Sequence, residues 1–199
     1  MTTVVVATTN QGKLREIREL LAGLPIELKT LADFPPVEAP EETGATFAEN
    51  ARQKAEYYAA ATGAIVIAED SGLEIDAMGG APGVQSARFG GEDSTYPEKF
   101  QLIYQALDAK GVETSTARFV CALALVHNGA VRFEARGTIE GEIAREAKGT
   151  GGFGYDPIFF YPPFGCTLAE ISARKGEVSH RGEAFRALRS WLDAGHLTE

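Results

Sequence analysis

The sequence is poor in most of the features that assign a chain to a functional class at a glance. Its two cysteines, Cys121 and Cys166, stand far apart in no CxxC or Cys/His arrangement. That argues against a disulfide framework or a zinc site. No apolar run approaches the ~18 residues a membrane span requires, so no membrane partner is expected. The opening MTTVVVATTNQGK lacks a basic stretch, a long apolar middle and a small-residue cleavage site. It is not expected to be a signal peptide, and a cytoplasmic location is the expectation. Positive charge is also scarce, with 19 Lys and Arg against 28 Asp and Glu and a net charge of −9. Binding to a nucleic-acid polymer rests on Lys and Arg, so none is expected as a partner. A small anion held by a local cluster of cations is still allowed. Internal repeats, low-complexity linkers and a clean boundary are absent. With 199 residues, 44% of them apolar, the chain is long enough to bury one proper core. It is expected to form a single domain over residues 1–199, with room for two lobes.

What is present has a mixed α/β pattern. Thr3 to Ala7 (TVVVA) reads as a buried strand, followed by the polar turn TTNQG. Leu14, Ile17, Leu20, Leu21 and Leu24 then recur at helical spacing. A Pro-rich stretch, DFPPVEAPEETG, tolerates neither a helix nor a central strand. Thr46 and Glu49 form a T-x-x-E capping box that opens a helix ending near Gly63. Ile65 to Gly72 (IVIAEDSG) reads as a second buried strand that ends on two acids, and SGLEIDAMGGAPG as an irregular loop. Tyr96, Phe100, Ile103 and Leu107 mark a helical stripe that stops at Gly111. Two β-rich runs flank Asn128-Gly129, the strongest short hairpin signal. GTGGFGYDPIFFYPPFG reads as a rigid loop, and a last helix runs from about Ser179 to Trp191. Alternation in the first half and a hairpin in the second predict a mixed sheet.

Three places carry candidate chemistry. A strand, a polar turn with a glycine and a helix, as in Thr8-Thr9-Asn10-Gln11-Gly12-Lys13, can present backbone N–H groups to an anion. It is not a Walker A motif, whose first glycine is missing, and a plain turn with a solvated Lys13 is the competing reading. Lys13 and, if Ser179 caps the last helix, His180 and Arg181 all lie in the first turns of helices, where the dipole disfavours cations. A common anionic ligand would explain them. Glu69 and Asp70 supply the complementary half, at a strand end where open α/β sheets place their ligands. Side chains alternate along a strand, so one acid is expected to be buried and the other to face solvent. Glu38, Glu41 and Glu42 can be solvated loop charges. Acids and cations without a His/Cys cluster suit Mg2+ better than zinc. In GGFGYDPIF, Phe153 and Tyr155 can offer a planar base a surface to stack on, or pack within a buried turn.

Thr8-x-Asn10-x-x-Lys13, ETGATFAENARQKA, AEDSGLEIDAMGGAPGVQSARF, GGFGYDPIF and SHRGEA follow one another along nearly the whole chain. Together they resemble the inosine triphosphate pyrophosphatase family. The resemblance implies an α/β fold with an elongated mixed sheet flanked by helices, two lobes and a central cleft, and a homodimer. It implies Mg2+-dependent hydrolysis of the purine nucleoside triphosphates ITP, dITP and XTP to the monophosphate and pyrophosphate. By the same resemblance Asp70 is the general base, with Glu41 and Asp70 near the metal. Thr8 to Lys13 and Lys54 reach the triphosphate, Lys13 and Lys54 acting on the reacting phosphates. Ser71, Phe153, Gly154, Tyr155, Asp156, Lys175, His180 and Arg181 line the nucleoside pocket. Gln85 stands where the family commonly has Tyr, and Gly176 where Asn often follows the lysine. Neither change removes a charge. A pyrophosphatase with pyrimidine or modified-nucleotide preference and a non-catalytic nucleotide sensor are the alternatives.

Overall fold

The structure is a computed structural model that describes residues 2–197. Strands are β1 (Thr2–Val6), β2 (Ile26–Thr30), β3 (Ile65–Ile75), β4 (Thr116–His127), β5 (Ala130–Ile143), β6 (Phe159–Tyr161) and β7 (Cys166–Thr167). Helices are α1 (Gln11–Leu20), α2 (Phe47–Thr62), α3 (Tyr96–Asp108), the single turn α4 (Lys175–Val178) and α5 (His180–Asp193). The hydrogen-bonded strand order is β2-β1-β3-β4-β5-β6-β7. Pairing of β1 with β2 and with β3 is parallel, and that of β6 with β5 and with β7 is antiparallel. The sheet is therefore mixed, as the pattern predicts. Asn128 and Gly129 both take positive φ, 52° and 72°, the geometry of the type I′ turn that joins a two-residue hairpin.

Local signals account for most boundaries. Asn10 caps α1 by accepting the Lys13 N–H. Thr46 and Glu49 complete their reciprocal box, and Gly63 ends α2 in the left-handed region. Thr95 and Glu98 open α3 with a second box. Two expectations need correction. The strand does not end at Gly72 but runs on through Ile75, because Leu73 and Ile75 are fully buried in an apolar core. GTGGFGYDPIFFYPPFG is not all loop: Phe159–Tyr161 pairs with β5 and β7 as β6.

The described residues divide into two compact units, one made of 2–70, 121–137 and 180–197 and the other of 71–120 and 138–179. In the first unit, strand alternation sorts the core into two clusters. Val4 and Val6 of β1, Ile65 and Ile67 of β3 and Leu123 and Leu125 of β4 pack with Leu14 and Ile17 of α1 and Phe185 and Leu188 of α5. Val5 and Ala7, Val66 and Ala68, and Ala124 and Val126 pack instead with Ala55, Tyr58 and Ala59 of α2. Both faces of β3 are thus covered by helices. In the second unit Leu73, Ile75, Phe100, Ile103, Leu107, Phe119, Ile158, Phe159 and Leu168 form one core.

Candidate active site

The same alternation carries past Ala68 and decides where the two acids go. Parallel pairing of β1 with β3 stops at Val6 and Ile67. The next odd residue, Glu69, falls on the α1/α5 face, and the next even one, Asp70, on the α2 face. The acids therefore lie mid-strand, just beyond the end of β1, and not at the end of β3. The expectation that one faces solvent also fails, since Glu69 is 4% and Asp70 6% exposed. Burying an unpaired carboxylate costs several kcal/mol or forces a pKa shift, so each must be met by groups from the helices on its own side.

Glu69 is met by cations. Lys13 Nζ lies 2.6 Å from Oε1, and Arg181 Nη2 and Cys121 Sγ lie 3.3 Å from Oε2. Arg181, 1% exposed, also reaches Glu16 at 2.6 Å through Nη1. Burial would raise the Glu69 carboxyl, but Arg181 and then Lys13 overcome it and hold it well below the usual range. The Cys121 thiol is pushed far up, first by burial and then by Glu69, which makes it an inert neutral donor. The first turns of α1 and α5 do hold wrong-sign charges, as expected. An anion they share here is a carboxylate of the protein itself, so those charges do not by themselves require a bound ligand. Gly137 of β5 lets the start of α5 come close. A Cβ there would sit 2.1 Å from His180 O.

Asp70 is met differently. Asn50 Nδ2 donates to Oδ2 at 3.0 Å, and Lys54 Nζ lies 3.4 Å from Oδ1. Asn50 and Lys54 are four residues apart on α2 and so share a face. Lys54 Nζ lies closer to Glu42, at 2.7 Å. Burial raises the Asp70 carboxyl, and Lys54 and Asn50 offset this only in part. Burial likewise pulls on the Lys54 ammonium, but Asp70 and then Glu42 outweigh it and hold it above its usual value. Two adjacent carboxylates, one held between two cations and one between an amide and a shared ammonium, thus sit in environments that push them in opposite directions.

The turn expected to face an anion is open. Thr9, Asn10 and Gln11 are exposed, and Thr8, Gly12 and Lys13 half-buried. Asn10 N–H donates to Thr8 Oγ1 at 3.2 Å, and Gln11 Nε2 to Thr9 O at 3.4 Å. His180 is 4% exposed at the first position of α5. Glu41 is exposed on the loop before α2. Its neighbour Glu42 is the loop acid that the fold brings to Lys54. Among the described residues no group of three or more His, Cys, Asp and Glu converges. Mg2+ is commonly held by one or two carboxylates, with substrate phosphates and water completing its shell. Glu42 and Asp70, which meet on one ammonium, fit that need.

The remaining predicted residues belong to the second unit. Ser71 follows Asp70 on β3 and is half-buried. Tyr155 is core, 4% exposed, with its hydroxyl donating to Ser86 O at 2.7 Å and its ring edge-on to Tyr96. Of the two rings weighed for stacking, this one packs in a buried turn. Phe153 is half-buried, and the Lys175 ammonium lies 4.4 Å from its ring centroid. Lys175 also pairs with Asp156 at 2.7 Å, and the same Asp156 oxygen accepts the Phe153 N–H at 2.8 Å. Gly154 takes φ 68° and brings this turn close to Tyr96. Phe153, Asp156 and Lys175 thus form one assembly, as the sequence spacing alone does not reveal.

Sequence reasoning passed over Asn50, Glu16 and Cys121, and it left Glu42 among the loop charges. Asn50 had a readable signal in its four-residue spacing from Lys54 within a capped helix. Glu16 and Cys121 had none, because their meeting depends on tertiary packing.

Comparison with known proteins matches residues 4–191 to the Ham1 family. A protein from Listeria monocytogenes named dITP/XTP pyrophosphatase is 46% identical over 193 residues, which cover 96% of this chain and 95% of that protein. One of the same name from Geobacter sulfurreducens is also 46% identical, over 96% of this chain and 97% of its own. Among solved structures, a HAM1 protein from Coxiella burnetii matches with a TM-score of 0.91 at 42% identity, covering 98% of this chain and all of that one. The Staphylococcus aureus Ham1 protein gives a TM-score of 0.87 at 35% identity over the same shares.

Proposed function

The chain belongs to the Ham1 family, and on that premise we propose that it is a nucleoside-triphosphate pyrophosphatase. Its substrates are the non-canonical purine nucleotides ITP, dITP and XTP, cleaved to the monophosphate and pyrophosphate to cleanse the nucleotide pool. The names of the relatives support the substrate class. One observation in the molecule carries the chemistry: Asp70 is buried with the amide of Asn50 at 3.0 Å and the Lys54 ammonium at 3.4 Å, while Glu69 on the other face is paired with Lys13 at 2.6 Å.

In this reading Asp70 orients the attacking water and accepts its proton as the anhydride between the α- and β-phosphates breaks. Lys54 and Lys13 face the charge that develops on the phosphate oxygens, the dominant contribution in phosphoryl transfer. A Mg2+ held by Asp70 and an acid of the 41–42 loop would add charge neutralisation on those oxygens. Phe153, half-buried in the second unit, is the ring that offers a planar base a stacking surface. Rejection of adenine turns on the C6 position, where hypoxanthine and xanthine carry an acceptor and adenine a donor; guanine shares that acceptor, so slower release from GTP rests on its 2-amino group. A protein donor aimed there is left unpaired by adenine, at about 1–3 kcal/mol. Arg181 is committed to Glu16 and Glu69, so His180 and backbone N–H groups are the better donors. A homodimer in the cytoplasm completes the proposal. No helix among the described residues is long and apolar enough to cross a membrane.

The experiment is pyrophosphate release from ITP, XTP, GTP, dTTP and UTP, with Mg2+ and with a chelator. The expected result is fast release from ITP and XTP, slow release from the others, and loss with the chelator. Preference for dTTP or UTP would replace the purine reading with a pyrimidine one. Tight binding of ITP without turnover would make the protein a sensor.

A further inference from the structure

Asn50 is the fourth residue of α2, its side chain is 1% exposed, and both ends of its amide are engaged. Nδ2 donates to Asp70 Oδ2 at 3.0 Å, and Oδ1 accepts the Gly44 N–H at 2.8 Å. The orientation has no alternative. An ionised carboxylate only accepts and a backbone N–H only donates, so a flipped amide would set donor against donor and acceptor against acceptor.

A second observation comes from the Gly44 side. A Cβ at Gly44 would lie 2.6 Å from Asn50 Oδ1 and 2.8 Å from Glu49 Cβ. Only glycine lets the loop settle this deeply onto the start of α2. The N–H groups of Ala45 and Thr46 add to the contact by donating to Glu49 Oε2 at 2.7 and 3.3 Å. One turn further along the helix, Lys54 holds Glu42 from the same loop and reaches Asp70. Loop, helix and β3 are thus tied at two points, and Asn50 is the neutral one. The terminal torsion of an aspartate is broad, so a carboxylate that loses a partner on one oxygen can rotate. A reacting group misplaced by about 1 Å can cost a hundredfold in rate.

We propose that Asn50 is a positioning residue for the hydrolysis: it fixes the rotation of the Asp70 carboxylate and ties it to the loop that carries Glu41 and Glu42. The role rests on the reading of Asp70 as the base. Asn50→Ala removes both ties. Asn50→Asp keeps the acceptor for Gly44 but sets a carboxylate against Asp70.

In both variants, folded at the assay temperature by thermal unfolding, kcat for pyrophosphate release from dITP is expected to fall about 10–100-fold while KM moves by less than about threefold. Amide hydrogen exchange over residues 41–45, read without nucleotide, is expected to accelerate in Asn50→Ala and stay slow in Asn50→Asp. A kcat within about twofold of wild type in the folded variants, or a change confined to KM, overturns the role. So does unchanged loop exchange in Asn50→Ala. A wild-type chain that releases no pyrophosphate from any nucleotide overturns the functional reading, and the role falls with it. An active wild type with a normal Asn50→Ala overturns the role alone.

Discussion

The two faces of β3 at residues 69 and 70 solve the same problem, a buried carboxylate, in opposite ways. On the α1/α5 face Glu69 is surrounded by Lys13, Arg181 and the Cys121 thiol, and its charge is overcompensated. On the α2 face Asp70 has a neutral amide at 3.0 Å and an ammonium at 3.4 Å that is itself closer to another acid. The sequence neighbours differ by one step of alternation, and that step separates a carboxyl that its surroundings push down from one that they push up. What burial does to a charge depends on which helices happen to cover it.

The largest expected effect breaks the comparison on the Asp70 side. Asp70→Asn keeps the shape and the Asn50 contact but removes the proton acceptor. Pyrophosphate release is expected to fall by about 10²–10⁴-fold, the usual share of a general base. Binding of dITP, read by calorimetry, is expected to stay near wild type. Near-normal turnover in this variant would sink the assignment.

Glu69→Gln tests the other face and is expected to fail in a different way. It takes one carboxylate from Arg181, 1% exposed and paired also with Glu16, and takes from Lys13 the carboxylate at 2.6 Å. Removing one member of a buried ion pair costs about 3–5 kcal/mol, so urea unfolding is expected to show a loss of that order. Asp70→Asn, which removes a charge that burial disfavours, is expected to leave stability near wild type. A Glu69→Gln protein as stable as wild type would mean that the cations on this face are solvated in the folded state.

Much of this was legible in the chain. The capping box at Thr46 and Glu49, the glycine stop at Gly63 and the Asn-Gly hairpin all depend on contacts a few residues long, and the structure has them as expected. The five collinear motifs point to the family without any tertiary contact. The partition of Glu69 from Asp70 was half legible: alternation separates their faces but does not say what covers each. Only the packing of α1 and α5 on one side and α2 on the other shows that both are covered. That Lys13 and Arg181 meet Glu69 was not legible, because this protein partner lies 56 and 112 residues away along the chain. No local rule spans such distances.

The smallest effect is also the most specific to the comparison, because the two acids should give stability opposite dependences on pH. Glu69 is held below the usual carboxylate range in the folded state. Its contribution is therefore complete above that range and is lost as pH falls toward its folded value. Asp70 is raised, so the folded state prefers its protonated form. Its contribution is complete below the usual range and is lost as pH rises through that range to its folded value. Each proton bound in one state and not the other tilts the unfolding free energy by at most about 1.4 kcal/mol per pH unit. The measurement is urea unfolding from acid to neutral pH for wild type, Glu69→Gln and Asp70→Asn. Glu69→Gln is expected to lose less stability than wild type on acidification below the usual carboxylate range. Asp70→Asn is expected to gain on wild type as pH rises above it. Curves that stay parallel in all three proteins would mean that neither carboxyl is shifted by folding, and the contrast between the two faces of β3 would then be geometric alone.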